Sequence, residues 1–403
     1  MTAVPGAARQ VSARLPDLIT AGLAAGRHTE PDDWAWLHAA GTRNPSGVPG
    51  VQIDGHFPSA TRLNPFHGWD RDAQFVLRLP DAWNGGLVVT GAPGVRRQYA
   101  PDVLIGDWAL ARGYAYACTD KGNSGPEFFT AGGAPGDAIA EWHRRTTQLA
   151  EAAAQTVAAH YGGAPRRVYM AGISNGGYLT RWQLENRPDL YDGGVDWEGP
   201  FWRAEGPNLL THLPAVLRHY PQWRDGRSEE ALAGMEKAGL PAASEFLWEA
   251  HDQVYWEFTQ RTYRAVFDPG YSGAEADYDY AARPASVREG VERISLTGAI
   301  GRPLLSLHGT LDALLPISLH ADPYAALVRA AGHGGLHRLY RIEGGNHVDG
   351  YHDLFPGRVR PLLPVFRAVF EALERWVEDG AAPPASATFP LPVEGDLVNN
   401  FTW

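Results

Sequence analysis

Short apolar runs alternate along the chain with longer segments of helical periodicity. Residues 74–79 and 87–90 are typical of buried strands, because each run is apolar and is followed by Pro80 or by a Gly-rich turn. Residues 141–160 instead place their apolar side chains on one stripe at helical spacing. The predicted strands are residues 74–79, 87–90, 114–118, 167–171, 191–197, 302–309 and 336–342. The predicted helices are residues 11–25, 32–40, 141–160, 177–186, 229–238, 243–263, 323–331 and 361–378.

This alternation predicts an α/β fold with a mostly parallel central sheet and helices on both of its faces. Residues 199–299 interrupt it, since they are too long for a connection in a compact sheet and too aromatic for a disordered linker. We expect them to form an inserted helical cap over the carboxyl edge of the sheet. A packing layer remote from any site is the alternative.

The predicted organisation has four parts. An N-terminal extension covers residues 1–65 and includes a surface loop at residues 42–63, where Pro, Gly and Asn are frequent. The core comprises residues 66–198 and 300–380, and the cap is the aromatic segment between them. The Pro-rich residues 381–403 are expected to form an extended strap.

A strand, a Gly-x-Ser-x-Gly motif and a helix follow one another at residues 168–186. This order predicts a nucleophile elbow, in which a strained turn pushes the hydroxyl of Ser174 out of the sheet edge. Gly172 and Gly176 leave room for backbone that a Cβ atom would block. A structural Gly-rich turn is the alternative, because so short a motif also recurs by chance.

A serine nucleophile needs a base, and the base needs an acid that fixes its tautomer. Asp312 and His347 follow Ser174 in the order Ser, Asp, His, and each comes just after a predicted strand. They therefore lie at the edge where a parallel sheet places its active site. Taken singly, Asp312 could cap a helix and His347 could be a loop histidine. Asp196 and Glu198 are competing candidates for the acid.

Two N–H donors are expected to stabilise the oxyanion that forms on the substrate. Asn175, directly after the nucleophile, is one candidate. The loop after the second predicted strand offers Gly94 or Val95, with Ala92 behind them, because Pro93 has no N–H. The cap is expected to supply an aromatic substrate pocket lined by Trp197, Phe201, Trp202 and Trp256.

The sequence predicts no cofactor and no metal. His347, Asp349, His352 and Asp353 could be interpreted as ligands, but we favour the ordinary polarity of a loop, because His347 already has a role. The single cysteine, Cys118, excludes an intramolecular disulfide and ends an apolar strand, so we expect a buried and unreactive thiol.

A net charge of −11 with no basic block argues against nucleic acid or an anionic membrane as a partner. The N-terminal region lacks the apolar core of a secretory signal, and no apolar run is long enough to span a membrane. We therefore expect a cytoplasmic protein that acts on a small-molecule or oligomeric ester. Whether it forms a homo-oligomer stays open.

Six stretches together resemble the tannase and feruloyl esterase family of α/β-hydrolases. They are residues 79–85, 112–122, 168–177, 307–312, 340–350 and 376–383. The resemblance implies an α/β-hydrolase fold and a Ser-Asp-His triad. That family also links a cysteine before the nucleophile to a cysteine after the histidine, whereas this chain has Ile173 and Val348 there. The family's Asp-rich calcium loop is not recognisable either, so tannin and feruloyl substrates do not carry over; oligomers of 3-hydroxyacids are handled by hydrolases of broadly similar layout.

The main hypothesis is a serine hydrolase that cleaves a carboxylic ester with a bulky apolar or aromatic group through an acyl-enzyme. An acyltransferase or cyclase using the same residues, in which an alcohol or amine resolves the acyl-enzyme, is the first alternative. A non-catalytic binding protein is the second.

Overall fold

One sheet of ten strands runs through the part of the protein that the structure describes. The computed structural model describes residues 2–23, 26, 28–126, 133–392 and 394–403. The strands are β1 Arg9–Leu15, β2 Gly50–His56, β3 Gln74–Pro80, β4 Gly86–Gly91, β5 Ala115–Thr119, β6 Arg167–Ile173, β7 Gly193–Trp197, β8 Leu304–Gly309, β9 His337–Ile342 and β10 Ala387–Phe389. Their order in the sheet is β1-β2-β3-β5-β4-β6-β7-β8-β9-β10. The first four pair antiparallel, and every pair from β5 to β10 is parallel.

Thirteen α-helices accompany the sheet in the described part of the chain. They are α1 Thr20–Leu23, α2 Pro31–Trp34, α3 Asp107–Ala111, α4 Asp137–Tyr161, α5 Asn175–Asn186, α6 Leu209–Gly226, α7 Glu229–Lys237, α8 Trp248–Val254, α9 Trp256–Phe267, α10 Ala285–Glu292, α11 Ala321–Ala330, α12 Tyr351–Leu354 and α13 Leu363–Asp379. A π-helical turn at Asp102–Gly106 precedes α3. Short 3-10 turns occupy Phe66–Gly68, Ala242–Leu247, Glu275–Asp277, Tyr280–Ala282 and Gly334–Leu336.

The sheet is covered on both faces, as the alternation predicts. In β4, Leu87 and Val89 join the apolar cluster that contains residues of α4 and α5. Val88 between them joins a second cluster with residues of α3 and α13. This period of two places helices on both sides of parallel strands, and it confirms the predicted α/β fold class.

The segment between β7 and β8 is helical and aromatic. It contains α6 to α10, and Tyr220, Trp223, Trp248 and Trp256 form ring contacts within it. Helix α6 was not predicted, because Pro214 and Pro221 lie inside it and proline normally ends a helix. The helix predicted for residues 243–263 is divided at Tyr255 into α8 and α9.

The N-terminal region departs most from the predictions. The helix predicted for residues 11–25 is wrong in its first part, because β1 ends at Leu15 and α1 is a single turn; residues 24 and 25 lie outside the described part. The helix predicted for residues 32–40 stops at Trp34, and Trp36 has a left-handed φ of 67°. Residues 42–63 are not only a loop, since they contain β2.

Strand β2 was not predicted from the sequence because it contains buried polar residues. Gln52 and Asp54 are fully or almost fully buried, which is unusual for their types. Gln52 Nε2 donates to Asp54 Oδ2 at 2.9 Å, and Gln52 Oε1 accepts from Arg78 Nε at 2.9 Å. These partners satisfy side chains that a pattern of apolar residues assigns to a loop.

Arg78 and Asp102 form a buried ion pair in the same network. Two nitrogens of Arg78 each lie 2.7 Å from a different oxygen of Asp102, and both side chains have no exposed surface. Thr29 also donates to Asp102 at 2.6 Å. The pair joins β3 to the π-helical turn, so it anchors the segment that leads from β4 towards β5.

Two further predictions concern the reactivity of Cys118 and the presence of a membrane-spanning helix. Cys118 is buried, and burial raises the pKa of its thiol well above its ordinary value, which keeps it protonated. Across the described ranges, no helix has the length and apolar character needed to cross a membrane.

We predict that Asp102→Ala lowers the free energy of unfolding by about 3–5 kcal/mol, because it leaves the Arg78 guanidinium buried without its counter-charge. Urea denaturation followed by tryptophan fluorescence measures this change. Asp81→Ala is the matched control, since Asp81 forms a similar two-point pair with Arg14 at the surface. A control variant that loses as much stability as Asp102→Ala would contradict the importance of burial.

Candidate active site

The carboxyl ends of β6, β8 and β9 bring three side chains into one hydrogen-bonded chain. Ser174 Oγ lies 3.1 Å from His347 Nε2, and His347 Nδ1 lies 2.9 Å from Asp312 Oδ2. His347 and Asp312 are buried, whereas Ser174 is partly exposed. A partly exposed hydroxyl beside a buried imidazole and carboxylate is the arrangement needed to activate a serine.

Ser174 occupies a strained turn between β6 and α5. Its φ of 55° lies in the left-handed region, which a non-glycine residue seldom adopts. A Cβ atom on Gly172 would lie 2.3 Å from the backbone of Gly176, and one on Gly176 would lie 2.6 Å from the carbonyl oxygen of Gly91. The glycines of the motif are therefore required by contact between three backbone segments.

Asp312 is held in place from two sides. Its Oδ1 accepts from the N–H groups of Leu314 and Leu315 at 2.8 Å each, which leaves Oδ2 for His347. Burial by itself would raise the pKa of Asp312, but the imidazoles of His347 and His308 outweigh it, so this pKa is lowered. Asp312 is thus ionised at neutral pH and can fix the tautomer of His347.

The two competing acids lie elsewhere or farther away. Asp196 Oδ2 accepts from Arg181 Nε at 2.7 Å and from Ser306 Oγ at 2.8 Å, so it belongs to a separate buried pair. Glu198 Oε2 lies 3.8 Å from His347 Nδ1, beyond hydrogen-bonding distance. Burial and the nearby Asp312 carboxylate raise the pKa of Glu198 well above its ordinary value, which favours the protonated carboxyl.

The same three groups could in principle hold a cation. Glu198, Asp312 and His347 each offer one ligand atom, and these atoms lie within 4.8 Å of one another. A cation there would have to replace the hydrogen bond between His347 Nδ1 and Asp312. The other ligands considered from sequence are engaged: Asp349 accepts from the N–H groups of Leu362 and Leu363, and His352 Nδ1 contacts the Val359 carbonyl oxygen at 2.7 Å.

The predicted oxyanion donors meet beside Ser174. Asn175 Nδ2 donates to the Gly94 carbonyl oxygen at 3.2 Å, which holds the loop after β4 against the start of α5. Within the described residues, no acceptor engages the backbone N–H of Asn175 or Val95. The N–H of Ala92 donates to the Thr119 carbonyl oxygen at 2.9 Å, so Ala92 is not available as a donor.

A cavity of about 200 Å³ opens at Ser174. Its walls come from the loop after β4, from the residues after β8 and β9, and from α6 and α9. The described lining residues are Leu37, Pro93, Gly94, Val95, Arg96, Ile173, Ser174, Asn175, Pro200, Leu209, Val254, Tyr255, Phe258, Thr259, Thr262, Tyr263, Leu314, Leu315, His347 and Val348. Most of these side chains are apolar, so the cavity suits an apolar group beside the reacting atom.

The four aromatic residues expected in the pocket do not line this cavity. Trp197 stacks on Phe366 beneath the sheet, and Trp256 Nε1 donates to the Ala313 carbonyl oxygen. Phe201 and Trp202 are buried in the cluster formed by the cap. Large aromatic side chains are mostly core residues, and that explanation applies to all four.

Four of the cap residues that line the cavity fall on one stripe at helical spacing. Tyr255, Phe258, Thr259 and Thr262 are spaced i, i+3, i+4 and i+7, which would have marked them in the sequence as one stripe. Tyr263 adds a contact, since its hydroxyl donates to Asn175 Oδ1.

Parts of the chain match two protein-family profiles and the sequences of known hydrolases. Residues 61–197 match the profile of the tannase and feruloyl esterase family, and residues 270–390 match that of the 3HB-oligomer hydrolases. A D-(-)-3-hydroxybutyrate oligomer hydrolase of Polaromonas sp. is 31% identical over 131 residues, which are 30% of this chain and 18% of that protein. One of Cupriavidus metallidurans is 33% identical over 95 residues, 23% of this chain and 13% of that protein. The chain therefore spans under a fifth of the length of these relatives.

Solved structures show the same fold. Feruloyl esterase B from Aspergillus oryzae superposes with a TM-score of 0.58 at 15% identity, covering 93% of this chain and 88% of that chain. Tannin acyl hydrolase from Aspergillus niger gives a TM-score of 0.54 at 13% identity, covering 93% and 83%. The chain has the α/β-hydrolase fold and resembles the tannase and feruloyl esterase family, without the disulfide beside the serine and histidine.

We predict that Asp312→Asn slows covalent labelling of Ser174 by a fluorophosphonate by about 10³- to 10⁴-fold, because an amide no longer fixes the tautomer of His347. Glu198→Gln is the matched control and should slow labelling far less, since the Glu198 carboxyl is too distant to accept the Nδ1 hydrogen. Quenching the labelling reaction at successive times and measuring in-gel fluorescence gives both rates. A larger effect of Glu198→Gln would transfer the role of acid to Glu198.

Proposed function

We propose that the protein is a serine hydrolase that cleaves a carboxylic ester through an acyl-enzyme. The observation that carries the proposal is the chain of hydrogen bonds from Ser174 through His347 to Asp312, at the mouth of an apolar cavity. The matching family profiles and the solved structures of similar fold are those of esterases and ester hydrolases, which supports this choice of reaction.

The first half of the reaction follows from the positions of the three groups. Ser174 Oγ attacks the ester carbonyl carbon while His347 Nε2 takes its proton. Asp312 stabilises the imidazolium that results, since its carboxylate faces Nδ1. The backbone N–H groups of Asn175 and Val95, or Gly94, donate to the oxyanion, and each such donor contributes about 3 kcal/mol to transition-state stabilisation.

The second half releases the products. His347 gives its proton to the leaving alcohol oxygen, and the acyl group stays on Ser174 Oγ as an ester. Water then attacks this ester while His347 Nε2 again acts as base, which restores the serine and yields a carboxylic acid. No other group has to change its protonation state in this cycle.

The apolar walls indicate that one side of the ester carries a bulky apolar group. Leu209, Leu314 and Phe258 approach from three different elements, so the group is enclosed rather than laid on a surface. The curated relatives are named as hydrolases of 3-hydroxybutyrate oligomers, and oligomeric hydroxyacid esters are therefore included among the substrates to be tested.

We predict that Ser174→Ala lowers kcat on the preferred ester by about 10⁴-fold or more while the fold is kept, because the nucleophile is removed and the packing around it is not. Release of 4-nitrophenol from acyl esters of increasing chain length measures the rate, and circular dichroism checks the fold. Mass analysis of the products with and without an added alcohol distinguishes hydrolysis from acyl transfer.

Ser228→Ala is the control for this experiment. Ser228 caps α7 on the cap surface and is not among the described residues of the cavity, so its loss should reduce stability slightly without reducing kcat. Residual turnover in Ser174→Ala close to that of Ser228→Ala would refute the proposed nucleophile.

A further inference from the structure

The cavity beside Ser174 contains one fixed positive charge. Among the described lining residues, Arg96 is the only arginine or lysine, and neither aspartate nor glutamate is present. Arg96 follows Val95 in the loop after β4, so the guanidinium and the expected oxyanion donor belong to the same short segment. Arg96 is half-buried, and an arginine in an otherwise apolar site requires an explanation, because even partial burial of a charge without a counter-charge is costly.

Arg96 lacks a carboxylate partner in the described structure. Its Nη1 donates to the backbone carbonyl oxygens of Asp33 at 2.6 Å and Asp32 at 3.4 Å, and no described acid lies within 4.0 Å of it. The nearby carboxylate of Asp33 is taken by the next residue, Arg97, whose Nε lies 2.8 Å from Asp33 Oδ1. Arg96 therefore has no carboxylate at ion-pair distance, whereas its neighbour is paired, and the carboxylate of Asp33 acts on Arg96 only at longer range.

The pKa values of Arg96 and Arg78 are shifted in opposite directions. Burial lowers the pKa of Arg96, and the nearby groups do not reverse this shift. Burial also acts on Arg78, but there the Asp102 carboxylate outweighs it, and the pKa of Arg78 is raised. An anion that entered the cavity would give Arg96 the partner that Asp102 gives Arg78.

Tyr255 supplies a second polar group at the same place. Its ring lines the cavity, and no described residue accepts or donates a hydrogen bond at its hydroxyl. Tyr255 and Arg96 line the same cavity. Burial raises the pKa of Tyr255, and the guanidinium of Arg96 opposes this shift. A guanidinium and a phenol are both donors, and together they suit the two oxygens of a carboxylate.

We infer that Arg96 and Tyr255 form a carboxylate-binding subsite, so that the substrate is an ester that also carries a free carboxylate. The inference rests on the proposed function and specifies its substrate class. The cavity of about 200 Å³ also contains Ser174, so only a short apolar spacer separates the carboxylate from the ester that reacts. Hydroxyacids acylated on their hydroxyl group and half-esters of dicarboxylic acids have this chemistry.

Two matched pairs of substrates test the subsite. Mono-(4-nitrophenyl) glutarate is compared with the corresponding 4-nitrophenyl ester of glutaric monoamide, which places the carboxylate on the acyl side. O-Acetyl-3-hydroxybutyrate is compared with its amide, which places it on the alcohol side. In at least one pair, we predict that the wild-type protein has a kcat/KM about 10- to 100-fold higher for the carboxylate, the range expected for a charged hydrogen bond.

Variants assign this preference to its residues. Arg96→Gln should abolish it by lowering kcat/KM for the carboxylate alone, Tyr255→Phe should reduce it, and Arg96→Lys should keep part of it. Arg261→Gln, an exposed arginine on α9, is the control and should leave it unchanged. The inference would be overturned if the wild type had equal rates on both members of both pairs. It would also be overturned if Arg96→Gln lost as much activity on the neutral esters as on the charged ones, because Arg96 would then serve only to anchor residues 32–33.

A binding measurement separates this inference from the proposed reaction. Glutarate should raise the melting temperature of Ser174→Ala more than glutaramide does, and the added substitution Arg96→Gln should remove the difference. If no ester is hydrolysed but glutarate still stabilises the protein through Arg96, the proposed function fails and the subsite stands. If esters are hydrolysed but glutarate has no such effect and no carboxylate preference is seen, the subsite fails alone.

Discussion

The contact of three backbone segments around Ser174 is the constraint on which the site depends. Gly91, Gly172 and Gly176 lie so close together that a Cβ atom on either of the last two could not be accommodated. This contact brings the end of β4 against the start of α5, and therefore sets the loop with Val95 and Arg96 beside the serine. The strained φ of Ser174 is maintained by the surrounding packing, because such a conformation costs about 1–3 kcal/mol.

Much of the sheet could be predicted from sequence because its parallel strands are buried on both faces. Strands such as β4 and β8 are mostly apolar runs, and the ends of β6, β8 and β9 marked the positions of Ser174, Asp312 and His347. Strand β2 could not be recognised, since Gln52 and Asp54 are buried through hydrogen bonds that only the folded chain provides. Strand β1 could not be recognised for a different reason, since it is an edge strand whose side chains are all exposed or half-buried.

The many aromatic residues of the cap led to a wrong prediction of the residues that line the cavity. The tryptophans near residue 200 and Trp256 attract attention by size, yet large side chains are the ones most needed to fill the core between cap and sheet. The cavity is lined instead by the narrower stripe on α9 and by Leu314 and Leu315 next to Asp312. Arg96 could not be identified from sequence, because its lack of a partner follows from the pairing of Arg97 with Asp33 in three dimensions.

The two outermost strands of the sheet come from opposite ends of the described chain. Strand β10 has three residues and pairs with β9, while β1 pairs along seven residues with β2. Deleting residues 381–403 to shorten an expression product would expose the N–H and carbonyl groups of β9, and deleting residues 2–15 would expose those of β2. Uncovered strands of this kind recruit other strands, so shortened products would be prone to aggregate even with every residue around Ser174 intact.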